Sequence, residues 1–367
     1  MYKMNPILVS AGFVLILAGN GCGLSQSVAR HFVNTQPEVA FRPKDYEDPV
    51  RVVGTRAQIY TPPNYTAEQK ENLLVKYSPI VVQGLEPEDK TEYPADSDLI
   101  GQPELRLASD KSYTISINTD KPTLYASSAK VKSQGASLTQ LIYVLWYPRH
   151  PVGMVEKGDI DGGVLRITLD AANRPSIYEY VMACGCWHGV FVSEHIEAWA
   201  ESAFNTREKS RKYFVEHGVE GDDDWKVRDI IRESANDSRP VIYLAAGKHQ
   251  CLAIQPEGIA KGLNGANSKP YSLLDYSKLE KLPVMGSDPV QTASMFNSDG
   301  LVWGAQRKGE EKMFNTLDHG GWPRRLDAMK IHWDEESWND DGLLDKFLRI
   351  PPKIAIPDAA IAALKHS

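Results

Sequence analysis

Cysteine is scarce in this chain. Four cysteines in 367 residues are too few to staple a protein of this length, so a hydrophobic core must hold the fold. Positive charge is not in excess either: 41 Lys and Arg stand against 48 Asp and Glu, a net charge of −7. That balance offers no general attraction to nucleic acid, and no nucleic-acid partner is expected. The proportions, 42% hydrophobic and 24% charged with 27 Gly and 23 Pro, exclude wholesale disorder, collagen, coiled coil and a polytopic membrane protein. No well-known catalytic signature is present. Function therefore has to be sought in a constellation of side chains rather than in a motif.

The first 21 residues read as an export signal. Lys3 supplies the positive charge, and Pro6 to Ala18 is almost wholly apolar. About 13 residues at a rise of ~1.5 Å span roughly 20 Å, short of the ~30 Å hydrocarbon core, which favours a cleaved signal peptide over a permanent membrane helix. Gly19-Asn20-Gly21-Cys22 then resembles the lipobox of bacterial lipoproteins. The resemblance implies lipidation of Cys22 as the first residue of the mature chain, a partner membrane reached through that anchor, and a place in the cell envelope. Without lipidation the same signal implies a periplasmic or secreted protein. Residues 22–65, with Pro37, Pro43, Pro49, Pro62 and Pro63, read as a tether leading into a first strand over Val52 to Tyr60.

Residues 66–355 are expected to form one mainly β (α+β) domain. Thr66-Ala-Glu-Gln69 is a capping box opening a short helix to Lys76. Strands are predicted at Ile80–Val82, Ser112–Asn118, Leu141–Tyr147, Val164–Leu169, Ile177–Ala183 and Val241–Ala246. Asp170-Ala-Ala-Asn-Arg-Pro175 supplies a turn between two of them. Helices are predicted at Glu194–Phe204, at Trp225–Glu233, and in a C-terminal tail of residues 356–367 at Ala359–Lys365. Long helices do not alternate with the strands, so a doubly wound sheet is not expected. An antiparallel β-sandwich or twisted sheet with helical insertions is.

The chemistry-bearing residues gather in two short segments, Cys184-Gly-Cys186-Trp187-His188 and Gly247-Lys-His249-Gln-Cys251. Extended backbone would put 184, 186 and 188 on one face, and 249 and 251 on one face, because side chains alternate with period two. Paired, the segments would offer a thiolate and imidazole set for zinc or copper. The spacing is not Cys-x-x-Cys-His, so no haem is expected, nor is it a thioredoxin-like Cys-x-x-Cys. Two alternatives stand beside a metal site. One is a structural disulfide between Cys251 and Cys184 or Cys186 in a non-enzymatic envelope protein. The other is a thiol-dependent enzyme in which His188 or His249 activates Cys186.

Carboxylates enter through Gly158-Asp159-Ile-Asp161-Gly-Gly163. If extended, Asp159 and Asp161 share a face, where they could ligate magnesium or calcium, or assist metal-promoted hydrolysis as ligand or base. Otherwise the segment is a polar hairpin turn. In order, Trp146-Tyr147-Pro, the acidic Gly-Asp segment, Arg166-Ile-Thr-Leu-Asp170, Asn173-Arg-Pro175 and Arg239-Pro-Val-Ile-Tyr-Leu-Ala-Ala-Gly247-Lys-His249 resemble two groups. These are the necrosis-inducing secreted proteins and the vacuolar-protein-sorting-62-type β proteins, and the likeness runs over residues 75–255. It implies a β-sandwich and, from the first group's His/Gly-Asp-Trp-Glu motif, a divalent cation site. Asp159 matches that motif's Asp and Asp161 its Glu, while Ile160 stands in place of the Trp and no His precedes. Late in the chain, Asp318-His319-Gly-Gly-Trp322 and other aromatics could, with Trp187, line a cleft for a glycan or another small molecule. The alternative is that these tryptophans anchor loops to a sheet.

Overall fold

A computed structural model describes residues 56–85, 94–108, 112–151, 158–185, 187–219, 225–232, 238–260, 263, 268–287, 291–305, 322–331 and 336–357. The chain is mainly β. In order it forms β1 (Ala57–Thr61), β2 (Ile80–Gly84), β3 (Gln102–Leu107), β4 (Tyr113–Asn118), β5 (Thr123–Ser133), β6 (Ala136–His150), β7 (Gly158–Leu169), β8 (Pro175–Met182) and β9 (His188–Ser193). There follow β10 (Val227–Ile231), β11 (Pro240–Leu244), β12 (Cys251–Pro256), β13 (Ser268–Pro270), β14 (Ser272–Asp275), β15 (Leu282–Met285) and β16 (Thr292–Ala293), then two-residue strands at Lys330–Ile331 and Glu336–Ser337. Among the described residues the α-helices are short: α1 (Leu73–Lys76), α2 (Glu194–Phe204) and α3 (Leu343–Phe347). Among the described residues no helix is long and apolar enough to cross a membrane. The expected signal, Cys22, the tether up to residue 55 and the C-terminal helix lie outside them, and the first strand expected over Val52 to Tyr60 is described as β1, Ala57–Thr61.

A seven-stranded sheet, β10-β9-β8-β7-β6-β5-β14, is the spine. Its middle is an antiparallel meander built by local turn chemistry. Gln134 and Gly135, both at positive φ (50° and 76°), close the β5–β6 hairpin as a two-residue turn whose twist matches the strands. Between β7 and β8 the Asp170 carboxylate accepts from the Ala172 and Arg174 amides at 2.9 Å, the turn expected from that segment. The sheet is not wholly antiparallel, however. β10 joins β9, and β14 joins β5, in parallel, as β11 joins β2 and β15 joins β3 elsewhere.

Both faces of this sheet are covered, which is why Leu141 to Tyr147 is apolar without interruption. Leu141, Tyr143, Leu145 and Tyr147 share one core with Tyr60, Val81, Ile242 and Leu244 of a five-stranded sheet, β12-β11-β2-β1-β13. Ile142, Val144 and Trp146 share another with Leu105, Ile117 and Val284 of a four-stranded sheet, β16-β15-β3-β4, and with α2, α3 and Trp338. The result is a layered β structure in which β6 and β7 lie between two cores.

Local signals explain what formed where. The Thr66 amide donates to Gln69 and the Gln69 amide donates to Thr66 (2.9 and 3.2 Å), the reciprocal bonds of a capping box. α2 occupies its predicted span, buries Ile196 and Ala200, and stops at Asn205, whose φ of 56° is a left-handed cap. Residues 227–231 form a strand, not the helix predicted over Trp225–Glu233. Val227, Ile230 and Ile231 are β-branched, and pairing with β9 satisfies their backbone at the sheet edge. Trp225 instead stacks on Phe347 at 5.0 Å, tying this edge to α3.

On the face shared with the four-stranded sheet, Arg166 and Glu179 form a buried two-pronged ion pair between β7 and β8. Nε donates to Glu179 at 2.8 Å and the second prong also closes. Arg166 donates further to the Trp338 carbonyl at 2.7 Å and lies over the Trp338 ring. Burial pushes the Glu179 carboxyl up. The Arg166 charge and hydrogen bonds from His188 and Arg166 overcome that and hold it at about 2. Since the folded value lies below the unfolded value of ~4.3, the stabilisation is present above about pH 4.3 and is lost as pH falls toward 2. Glu179→Gln leaves the guanidinium without its counter-charge and should destabilise by ~3–5 kcal/mol at neutral pH. Urea titrations of both proteins at several acidic pH values should show the gap closing as pH drops. A gap that stays constant with pH, or is absent at pH 7, would refute this account.

Candidate metal centre

The opposite face of β7 carries a different arrangement. Asp161 pairs across from Tyr147 in the β6–β7 ladder and has no solvent exposure. Its Oδ2 is approached by two imidazole nitrogens, His150 Nδ1 at 2.9 Å and His249 Nδ1 at 2.8 Å. His249 has no exposure and His150 only 6%. One ligand atom from each of the three lies within 4.8 Å of the others, so the group could hold a metal ion. A buried carboxylate costs several kcal/mol unless charge and hydrogen bonds compensate it. Burial does push the Asp161 carboxyl up, but the His150 charge and hydrogen bonds from both histidines hold it well below the ordinary carboxylate range.

Backbone irregularity brings these groups together. Strict alternation along paired β6 and β7 would set His150 and Asp161 on opposite faces, because His150 stands across from Gly158 and Tyr147 from Asp161. Ile160, between Asp159 and Asp161, takes a φ of +54°, and the alternation does not run through it. For the same reason Asp159 and Asp161 do not share an environment: Asp159 is exposed while Asp161 is buried. The glycines after Asp161 make room for neighbouring side chains. A Cβ on Gly163 would stand 1.8 Å from the Tyr180 hydroxyl, and one on Gly162 2.7 Å from the Trp146 ring.

His249 is aimed by a tight loop between β11 and β12. Gly247 and His249 have φ of 69° and 52°; the His249 amide donates to the Ala245 carbonyl at 3.1 Å, and the Ala245 amide to the Gln250 carbonyl at 2.9 Å. The ring stacks on Tyr147 at 3.7 Å and 8°, and Tyr147 is itself fixed by donating to Gln83 Oε1 at 2.6 Å. Nε2 of His249 lies 3.2 Å from Asp98 Oδ1. Both ring nitrogens thus face carboxylate oxygens. Burial drives the His249 pKa down, while its bonds to Asp161 and Asp98 and their charges outweigh that and raise it.

The remaining expected site residues are dispersed. β8 ends at Met182, and Gly185 at φ 76° ends any extended run through Cys184. His188 opens β9 on the other face, 3.4 Å from Glu179 and against the Trp225 ring. Cys184 is disulfide-bonded. Cys251 is a free, buried thiol, so the expected pairing of Cys251 with Cys184 or Cys186 does not form. The Cys251 thiol donates to the Ala253 carbonyl at 3.5 Å, and burial pushes its pKa up, the opposite of an activated nucleophile. Trp187 packs edge-on to Tyr180 beneath Arg228. Trp322 is buried, at 7% exposure. Cys186 and His319 lie outside the described residues.

Sequence reasoning picked out Asp161 and His249 and did not include His150 or Asp98. His150 closes the strongest apolar run of the chain, Leu141 to Pro148 followed by Arg149, but regular hairpin register points it away from Asp161, and only the irregularity at Ile160 brings the two together. Asp98, in Asp96-Ser-Asp98, carried no signal. A serine–histidine contact elsewhere, Ser176 Oγ to His195 Nε2 at 3.0 Å, is not a catalytic relay. The same Nε2 is the atom nearest Asp170, at 3.7 Å, whereas a relay uses both ring nitrogens.

Comparison with family models, with curated proteins and with solved structures found no significant match to this chain. The likeness to the necrosis-inducing and vacuolar-protein-sorting-62-type proteins therefore rests on sequence motifs alone.

The thiol chemistry is directly measurable. Cys251 should resist alkylation in the folded protein and react on unfolding without reductant, while Cys184 should react only after reduction. Peptide mapping that finds Cys184 alkylated without reductant, or Cys251 alkylated at the rate of a free thiol in the native state, would contradict these assignments.

Proposed function

We propose that this chain is an exported, lipid-anchored β-rich protein that binds one divalent transition-metal ion at His150, Asp161 and His249. The observation that carries the reading is the convergence of two imidazole Nδ1 atoms, at 2.9 and 2.8 Å, on a single oxygen of a fully buried carboxylate. Adjacent ligands on an ion bound at ~2.0–2.1 Å stand roughly 2.9 Å apart in octahedral and roughly 3.3 Å apart in tetrahedral geometry, so the observed spacing is that of hydrogen bonds and opens by about half an ångström to hold a tetrahedral ion. Two imidazoles and one carboxylate favour zinc or iron(II) over magnesium or calcium. Copper held by thiolate has no support from this donor set, because Cys251 bonds elsewhere and Cys184 is oxidised. Export is supported by the Met1–Gly21 signal pattern and Cys22, and by a disulfide at Cys184, since such bonds persist in oxidising compartments.

Three protein ligands leave a coordination position, the count that hydrolytic zinc sites use, and an ion there supplies Lewis-acid activation. Burial weighs against that use. Asp161 and His249 offer no surface and His150 very little, so a substrate would have to arrive over His150. The role we adopt is a cross-link: the ion ties the β6–β7 hairpin to the β11–β12 loop of the facing sheet, in a non-enzymatic envelope protein.

Elemental analysis of protein purified without added metal tests the reading. It should find about one equivalent of zinc or iron, lost in His150→Ala and His249→Ala but kept in Cys251→Ala. Added zinc at ~100 times its dissociation constant should stabilise the stripped protein by about 2.7 kcal/mol. Less than about a tenth of an equivalent of any transition metal, unchanged in the histidine variants and with no stabilisation by zinc, would sink it.

A further inference from the structure

The geometry points to Asp98 as a positioning residue that fixes which nitrogen of His249 meets the metal: Asp98 accepts a hydrogen bond from the Nε2–H and so leaves Nδ1 to face the ion beside Asp161. This inference rests on the metal reading above and adds to it a residue outside the ligand set, with a defined task.

Asp98 is itself held in place. It is 2% exposed and lies in the turn before β3, where the Ser97 amide donates to Pro94 and the Leu99 amide to Asp96, both at 3.0 Å. Its Oδ1 accepts from the Gly247 amide at 2.7 Å, and the same oxygen lies 3.2 Å from His249 Nε2. One carboxylate oxygen thus grips both the backbone that carries His249 and the imidazole. Gly247, at φ 69°, has the left-handed backbone that turns its amide toward Asp98 in that short loop.

The ring has little freedom left. Stacking on Tyr147 at 3.7 Å fixes its plane. Rotation within that plane is fixed by Asp161 at one nitrogen and Asp98 at the other. An imidazole that ligates a metal through Nδ1 must carry its proton on Nε2. A carboxylate accepting a hydrogen bond from that N–H fixes the tautomer, orients the ring and raises the basicity of the ligating nitrogen. Asp98 stands where such an acceptor is needed, and His249 Nδ1 already faces the shared Asp161 oxygen. With Nε2 as ligand the ion would instead sit between His249 and Asp98, away from His150.

Losing an acceptor of this kind typically weakens metal binding ~10–100-fold. In competition titrations with Zn²⁺, Asp98→Ala should bind that much more weakly than wild type. Asp98→Asn, which keeps an oxygen acceptor without the charge, should fall between them. Folding of each variant is checked by circular dichroism. The readout that a merely structural role would not move is the identity of the ligating atom. Protein labelled with ¹⁵N at histidine and loaded with ¹¹³Cd²⁺ should show cadmium coupling to His249 Nδ1 and a slowly exchanging proton on Nε2. Coupling to Nε2 would overturn the positioning role while leaving the metal site standing, as would folded Asp98 variants that bind Zn²⁺ within about threefold of wild type, well inside the expected loss. If Asp98→Ala does not fold, Asp98→Asn and the wild-type coupling decide. Cadmium that shows no coupling to His150 or His249 would remove the metal reading itself, and this inference with it.

Discussion

A carboxylate cut off from water needs counter-charge, and most of what surrounds Asp161 can be understood as meeting that need. Its oxygen lies where the seven-stranded sheet meets the five-stranded one, among side chains that are otherwise aromatic and aliphatic. A charge in such a place costs several kcal/mol unless donors are brought to it. The donors come from both layers: His150 from the end of β6 and His249 from the loop between β11 and β12. The backbone departs from regular strand geometry at two points around this contact, at Ile160 next to Asp161 and at His249 itself. The polar contact therefore joins the two sheets at one defined point, which a non-directional apolar contact does not specify.

β7 and β8 carry a second buried ionic group on their other face, and the contrast between the two is informative. Arg166 and Glu179 match fork to fork, and a guanidinium keeps its protons at any ordinary pH. That pair has no vacancy for an ion and reads as a fixed strut, closed by the Trp338 carbonyl and ring. Imidazoles differ because their protons can be exchanged for a metal. In the Asp161 group two N–H directions meet at one oxygen, so a single cation can take the place of both hydrogen bonds. The same strand pair thus presents a site that only stabilises and a site that can also bind.

How much of this could be read from the chain alone follows from the same physics. Leu141 to Tyr147 was legible because a strand buried on both faces must be continuously apolar, and α2 because its caps and its 3.6-residue apolar spacing are local. Residues 227–231 were not, since pairing with β9 decided their conformation and that partner is nearly 40 residues away. β3, β12 and the short edge strands depend on partners in the same way. In the site, Asp161 and His249 stood out by residue type, but their grouping did not. Period-two reasoning joined 184 to 188 and 159 to 161, and both joins fail where a residue adopts positive φ, at Gly185 and at Ile160. Asp98 comes from a turn more than 60 residues from Asp161 and about 150 from His249, a juxtaposition that only the layered sheets create.

The cysteines drew attention in the sequence because they were few and close to histidines, and the fold separates the two chemistries. A disulfide and a buried, hydrogen-bonded thiol are both poor metal ligands, one for want of a thiolate and the other because burial opposes forming it. In an oxidising compartment that separation has a physical advantage. A site built from imidazole and carboxylate cannot be lost to oxidation, whereas one built from Cys184, Cys186 and Cys251 would compete with disulfide formation for its own ligands. For a chain exported as proposed, a centre built from histidine and aspartate keeps its donors in their ligating form where cysteines would not.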